Sequence, residues 1–228
     1  MHDALPLLFA FLVGMGHAFE ADHLIAVTNL VARHDSRLLA VREGLFWGLG
    51  HTTTLVLFGG ALLVSKSAVE HSNYFEAGVG AMLLLMGLSR LTDKSQYQTK
   101  PPRYQRGAAY AVGLVHGLAG SGALVVLLMG SMRTTWLGVA YLLLFGLGSV
   151  AGMLGASALV SIPFTQRMRL SYGLRTGMVV VSALLSIGYG SWMIYGNLFS
   201  AEKQELRAQM RSTPAPTSSR ISPSASNL

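Results

Sequence analysis

The sequence contains no cysteine. That excludes disulfides and thiolate metal ligands, and it removes the donors that copper(I) and sulfur clusters prefer. Charge is scarce as well. Only 12% of the 228 residues are Asp, Glu, Lys or Arg, while 51% are hydrophobic. A soluble domain carries about 25% charged residues, so the chain reads as a polytopic membrane protein. The net charge of +7 would point to nucleic acid in a soluble protein. Here the basic residues gather in short loops and are read as topology signals, with no nucleic-acid partner expected. The opening MHDALPLL has no cationic n-region and carries an acid, which argues against a signal peptide.

What is abundant is long apolar sequence. A span needs about 20 mostly apolar residues, and six segments meet that need: roughly 4–31, 44–65, 74–92, 107–130, 135–161 and 174–199. The linkers are short and polar, the longest being TDKSQYQTKPPRYQR. The loops after the first, third and fifth spans hold eleven Lys and Arg, against Lys66 and Arg133 on the other side. This asymmetry puts those three loops in the cytoplasm and both termini outside, in a multi-pass protein of the cell (inner) membrane. The transmembrane domain is 1–200 and the polar tail 201–228. In the tail, AEKQELRAQMR can prolong the last helix into water, and the Ser/Pro-rich STPAPTSSRISPSASNL is expected to be disordered.

The spans repeat. VGMGHAFEADHLIAV (13–27) overlays VGLVHGLAGSGALVV (112–126) at a shift of 99 residues, aligning Val, Gly and His17 with Val, Gly and His116. WGLGHTTTL (47–55) overlays FGLGSVAGM (145–153) at a shift of 98, and Gly78 matches Gly177 at 99. A unit of three spans is odd, so its second copy lies upside down in the membrane. The expected fold is therefore all-α, six transmembrane helices in a 3+3 inverted repeat, about 4–92 and 107–199. Secondary transporters use this plan and bind their cargo near the midplane, at the repeat interface.

Away from their ends, the spans hold few ionisable residues: His17, Glu20, Asp22, His23, His51 and His116. A charge at a span centre costs about 2.5–3.5 kcal/mol on insertion scales, so these groups should face protein, water or a cation. Imidazole and carboxylate together suit first-row divalent metals. At roughly 100° per residue, His17 and Glu20 share a face, but His17, Asp22 and His23 do not. Either the helix is unwound here or the residues divide between coordination and support. Gly14 and Gly16 make a break around 14–23 reasonable. A membrane histidine can also be a plain interhelical hydrogen-bond former, which stays open for His51 and His116. Glu20 can instead protonate or pair with an Arg near a helix end. Thr28 and Asn29 are expected to cap or pack, and His34 and His71 to be solvated loop residues. His2 offers imidazole beside a free amine, a weak metal-binding signal on its own.

His17-Ala-Phe-Glu-Ala-Asp22-His23 resembles the His, four residues, Asp-His signature of the nickel/cobalt transporter family. Phe46-Trp-Gly-Leu-Gly50-His51-Thr52 is similar to that family's Phe-x-x-x-Gly-His-Ser/Thr motif. The larger permeases have about eight spans and a further acidic motif, absent from LVHGLAGSGALVVL in the fourth span. The chain is most similar to the smaller urease-accessory H-type membrane proteins. The resemblance implies His17, Asp22, His23 and His51 as metal contacts; His116 and Glu20 come from the span reading.

The expected function is transport of Ni²⁺ or Co²⁺ by a permease with no prosthetic group, in support of urease or hydrogenase maturation proteins. One alternative is a membrane factor that hands nickel to urease assembly without moving it. Another is an intramembrane metalloenzyme, but HAFEADH is not HExxH and the His-x-x-His-His boxes of desaturases are missing. An anion exporter of the sulfite type calls for Lys or Arg lining the pathway, and no span interior holds one.

Overall fold

The structure is a computed structural model that describes residues 4–32, 34, 36–65, 72–92, 104–118, 134–164 and 172–212. Every regular element among them is helical: α1 (Ala4–His17), α2 (Ala21–Val31), α3 (Arg37–Ser65), α4 (Ser72–Thr92), α5 (Tyr104–Leu118), α6 (Thr135–Val160), a short 3-10 turn (Ile162–Phe164) and α7 (Tyr172–Ser212). The second half of the expected 107–130 span, together with His2, His71 and the end of the tail, lies outside the described residues. Helix α7 runs on through AEKQELRAQMRS to Ser212.

The first apolar segment is two helices rather than one. α1 ends at His17, and two tight turns follow, Phe19 N–H to the Gly16 carbonyl at 2.9 Å and Glu20 N–H to the His17 carbonyl at 3.1 Å. Glu20 is extended (φ −64°, ψ 156°) and caps α2 without a side-chain bond to its backbone. α1 and α2 meet at a bend of 57°. The break therefore falls within the expected stretch, but after His17 rather than at the glycines. Gly14 is used for packing: a side chain there would strike the Phe145 carbonyl of α6.

α3 and α6 pack together at the centre, with α1 laid on α6 and α5 on α3; α4 pairs along its length with α7. Glycine sets the spacing. Gly113 of α5 sits on the Trp47 carbonyl of α3, as Gly14 of α1 does on the Phe145 carbonyl of α6. Hydroxyls then bridge the seams, Thr52 Oγ1 donating to the Gly146 carbonyl at 3.0 Å and Thr54 Oγ1 to the Leu114 carbonyl at 2.9 Å. Such close small-residue seams suit helices in lipid, where no hydrophobic effect drives them together. In the α4–α7 pair, Gly80 and Gly190 face each other and Ser186 Oγ donates to the Leu83 carbonyl at 2.7 Å.

The buried interior is built around Trp47, Val27, Val31, Val79, Leu83 and Met153. The outside is apolar too: Leu8, Phe9, Leu57, Leu85, Leu147, Leu185 and Trp192 are all exposed. In water this would be an aggregation surface; against lipid it is the natural one. Tyr74–Thr92, Trp136–Val160 and Thr176–Phe199 are each long and apolar enough to cross a membrane. Leu7–His17 with Ala21–Val31 makes a fourth if the bent pair is one span, and Gly107–Leu118 is a shorter apolar helix.

Candidate metal centre

The break after His17 is what gathers the site. It lets α1 end with His17 while α2 begins with Asp22 and His23 in its first turn. His51, from the middle of α3, and His116, from the last turn of α5, complete the cluster. All four imidazoles are buried. His23 is central, its ring centroid 4.5 Å from His17, 5.4 Å from His51 and 4.8 Å from His116. His17 and His51 stand 5.4 Å apart.

Two of the rings are tethered by their own neighbours. His17 Nδ1 donates to Glu20 Oε1 at 2.7 Å, and His23 Nδ1 donates to Asp22 Oδ1 at 3.0 Å. With the Nδ1 proton committed to a carboxylate, Nε2 keeps its lone pair. This carboxylate–histidine arrangement fixes the tautomer of metal-ligating histidines and raises their basicity. The carboxylates also sit at the N-terminus of α2, the end of a helix where negative charge is favoured.

Among the described residues the inward nitrogens have no partner. His17 Nε2, His23 Nε2, both nitrogens of His51 and His116 Nε2 are buried without a hydrogen bond. Asp22 Oδ2 is 3.9 Å from His116 Nε2, too far for one. A buried polar atom left unsatisfied costs about 1–3 kcal/mol, so a group of them calls for an occupant. A first-row divalent cation fits, since it takes lone pairs from several imidazoles and a carboxylate at once. The donor atoms fall into two sets, His17 with His23 and His51, and Asp22 with His23 and His116, each with its ligand atoms within 4.8 Å of one another.

The side chain of Glu20 is 51% exposed and engages His17 from outside the cluster. Glu20 belongs to neither donor set. Trp47 and Phe145 form walls, Trp47 at 5.4 Å from His23 and 5.7 Å from His116, Phe145 at 5.6 Å from His17.

No family model matches the chain. The urease accessory protein UreH of Bacillus sp. (strain TB-90) is 33% identical over 211 residues, which cover 85% of this chain and 92% of that protein. The chain belongs to the UreH family. The UreH-family chain is also 26% identical over 214 residues to the Chloroplast protein FOR GROWTH AND FERTILITY 1 of Arabidopsis thaliana, covering 83% of this chain and 58% of that protein. No solved structure matches.

Two features of this UreH-family chain were not assigned from its sequence. The aromatic walls are one: Trp47 opens WGLG and Phe145 opens the similar FGLG 98 residues on, so the likeness of the two segments held the signal. The other is His34. Instead of a solvated loop residue it is buried, with Nε2 3.5 Å from Oε1 of the buried Glu43 in α3. A hydropathy reading places a polar residue between two helices in water, and only the packing of α2 against α3 reveals it underneath.

Proposed function

We propose that this UreH-family chain transports Ni²⁺ or Co²⁺ across the membrane, with His17, Asp22, His23, His51 and His116 as the contacts to the ion and Glu20 as the support of His17. The observation that carries this reading is the convergence of four buried imidazoles with unpartnered nitrogens and one carboxylate between apolar helices. Such a site strips the ion of water and replaces its shell with imidazole and carboxylate. Asp22 offsets part of the ion's charge where lipid makes charge expensive.

The reading includes six spans in a 3+3 inverted repeat. In support, the helix contacts come in matching pairs. Adding 99 to Gly14 and removing 98 from Phe145 turns the Gly14–Phe145 contact into the Gly113–Trp47 contact. The same shifts turn Gly50 on Tyr110 into Gly148 on Phe11. α1 on α6 and α5 on α3 are then one contact used twice, with the cluster between them. The halves differ chemically: Ser149, buried and without a partner among the described residues, holds the position corresponding to His51, and both acids belong to the first half. The loop charges favour both termini outside in the cell membrane.

The UreH relative is a urease accessory protein. This favours a link to urease maturation proteins, and it also suits a second reading, a delivery factor that hands nickel on without carrying it across. Purified protein in proteoliposomes separates the two. A carrier accumulates Ni²⁺ or Co²⁺ in preference to Zn²⁺ with no partner present, and His17→Ala loses that flux. Metal bound but not moved would favour the delivery factor; wild-type flux from His17→Ala would sink the site assignment.

A further inference from the structure

The cluster is not one cage. The donors form two sets that share a single member, His23: an all-imidazole set with His17 and His51, and a set with Asp22 and His116. The sets are built from different helices. α1 and α3 supply the first, α5 supplies His116 to the second, and α2 supplies His23 to both and Asp22 to the second. Two divalent charges a ring's width apart in a low-dielectric interior repel strongly, which favours one ion shared between the sets.

We infer that they are two successive positions of one cation, with His23 as the ligand that stays with the ion as it passes from one to the other. This rests on the reading of the chain as a nickel or cobalt carrier and gives that reading its internal step. The first position has only neutral donors and leaves the ion its full charge. The second adds a carboxylate and removes one unit. The ion therefore rests in the second position and passes through the first. His23 and Asp22 sit together in the first turn of α2, joined to α1 by the short break at Ala18–Glu20. A small rotation of that turn moves the shared ligand without disturbing the glycine seams that hold α1, α3, α5 and α6.

Cobalt(II) reports the two positions directly, because its visible absorption depends on the donors around it. The full-length chain is titrated with Co²⁺ in lipid nanodiscs. Wild type is expected to bind one Co²⁺ per chain. His51→Gln removes a donor from the first set only and His116→Gln from the second only. Each variant is expected to keep one Co²⁺ with a spectrum unlike the other's and to lose flux at least tenfold in proteoliposomes, while His23→Gln weakens binding at least a hundredfold. If His51→Gln or His116→Gln does not yield monodisperse helical protein, His17→Gln or Asp22→Asn tests the same set. Identical spectra from the two variants, loss of binding in either, or two ions per wild-type chain would overturn the two-position inference while leaving a metal carrier standing. Failure of wild type to bind Co²⁺ or Ni²⁺ would overturn both.

Discussion

His17 and Glu20 meet across the break between α1 and α2, Nδ1 donating to Oε1 at 2.7 Å. The ring is buried and the carboxylate side chain half-exposed, so the acid reaches the histidine from the outside while Nε2 faces in. In the proposed carrier Glu20 is an orienting group. Removing such a partner typically costs 10–100-fold in metal affinity, because the ring loses its tautomer and direction but remains a donor. Glu20→Ala is expected to weaken Ni²⁺ binding by roughly that factor. Glu20→Gln keeps an acceptor and should recover most of the loss, whereas His17→Ala should not be rescued by either side chain. Equilibrium dialysis with Ni²⁺ checks the order; equal losses for Glu20→Gln and Glu20→Ala would make the carboxylate itself a ligand.

The glycine seams give a stability prediction with an internal control. A Cβ on Gly113 would meet the Trp47 carbonyl and lie 2.8 Å from the His51 backbone nitrogen. Both neighbours are backbone and cannot swing away, so α5 has to retreat from α3. Gly113→Ala is expected to cost about 1–3 kcal/mol, the usual penalty of overpacking, and to loosen metal binding by shifting His51. Gly16 has no atom within 4 Å of its would-be Cβ. Gly16→Ala should be neutral, or stabilising by about 0.5–1 kcal/mol through helix propensity. Thermal unfolding in detergent, followed by circular dichroism, compares the two.

These contacts also show where the sequence was legible. The angular argument over HAFEADH required either a break or a division of labour, and the break is present: the helix stops after His17. The shift of 99 residues picked out His116, whose ring the fold brings to 4.8 Å from His23. What could not be read depends on packing between distant segments. Glycines at 14 and 16 look alike in a sequence, yet one lies against a carbonyl of α6 and the other in open space. His34 follows α2 in a polar stretch, and nothing local says that Glu43 covers it.

That buried pair carries a prediction separate from the metal. His34 Nε2 and Glu43 Oε1 lie 3.5 Å apart with side chains only 3% and 9% exposed. Deleting one partner leaves the other buried without compensation, at about 1–3 kcal/mol. His34→Ala is expected to lower the unfolding midpoint, and adding Glu43→Gln should recover part of the loss because an amide is cheaper to bury than a carboxylate. The Co²⁺ spectrum of His34→Ala should match wild type, since neither residue belongs to the histidine cluster. A changed spectrum would tie the pair to the site.

Trp47 offers a reading of the site that requires no change to any donor. Its ring lies 5.4 Å from His23 and 5.7 Å from His116, fully buried, with the indole N–H unpartnered among the described residues. The other two tryptophans, Trp136 and Trp192, are 79% and 66% exposed and belong to the outer surface of α6 and α7. Open-shell Ni²⁺ or Co²⁺ bound beside His23 should quench Trp47 and leave the outer pair bright. In a chain carrying Trp136→Phe and Trp192→Phe, the remaining emission is expected to fall on Ni²⁺ addition and return with a chelator. Closed-shell Zn²⁺ should bind with little quenching. Because Trp47 lies beside His116 and Phe145 beside His17, the quenching should be stronger in His51→Gln than in His116→Gln. Equal quenching in the two variants would mean that the ion keeps one position whichever donor is removed.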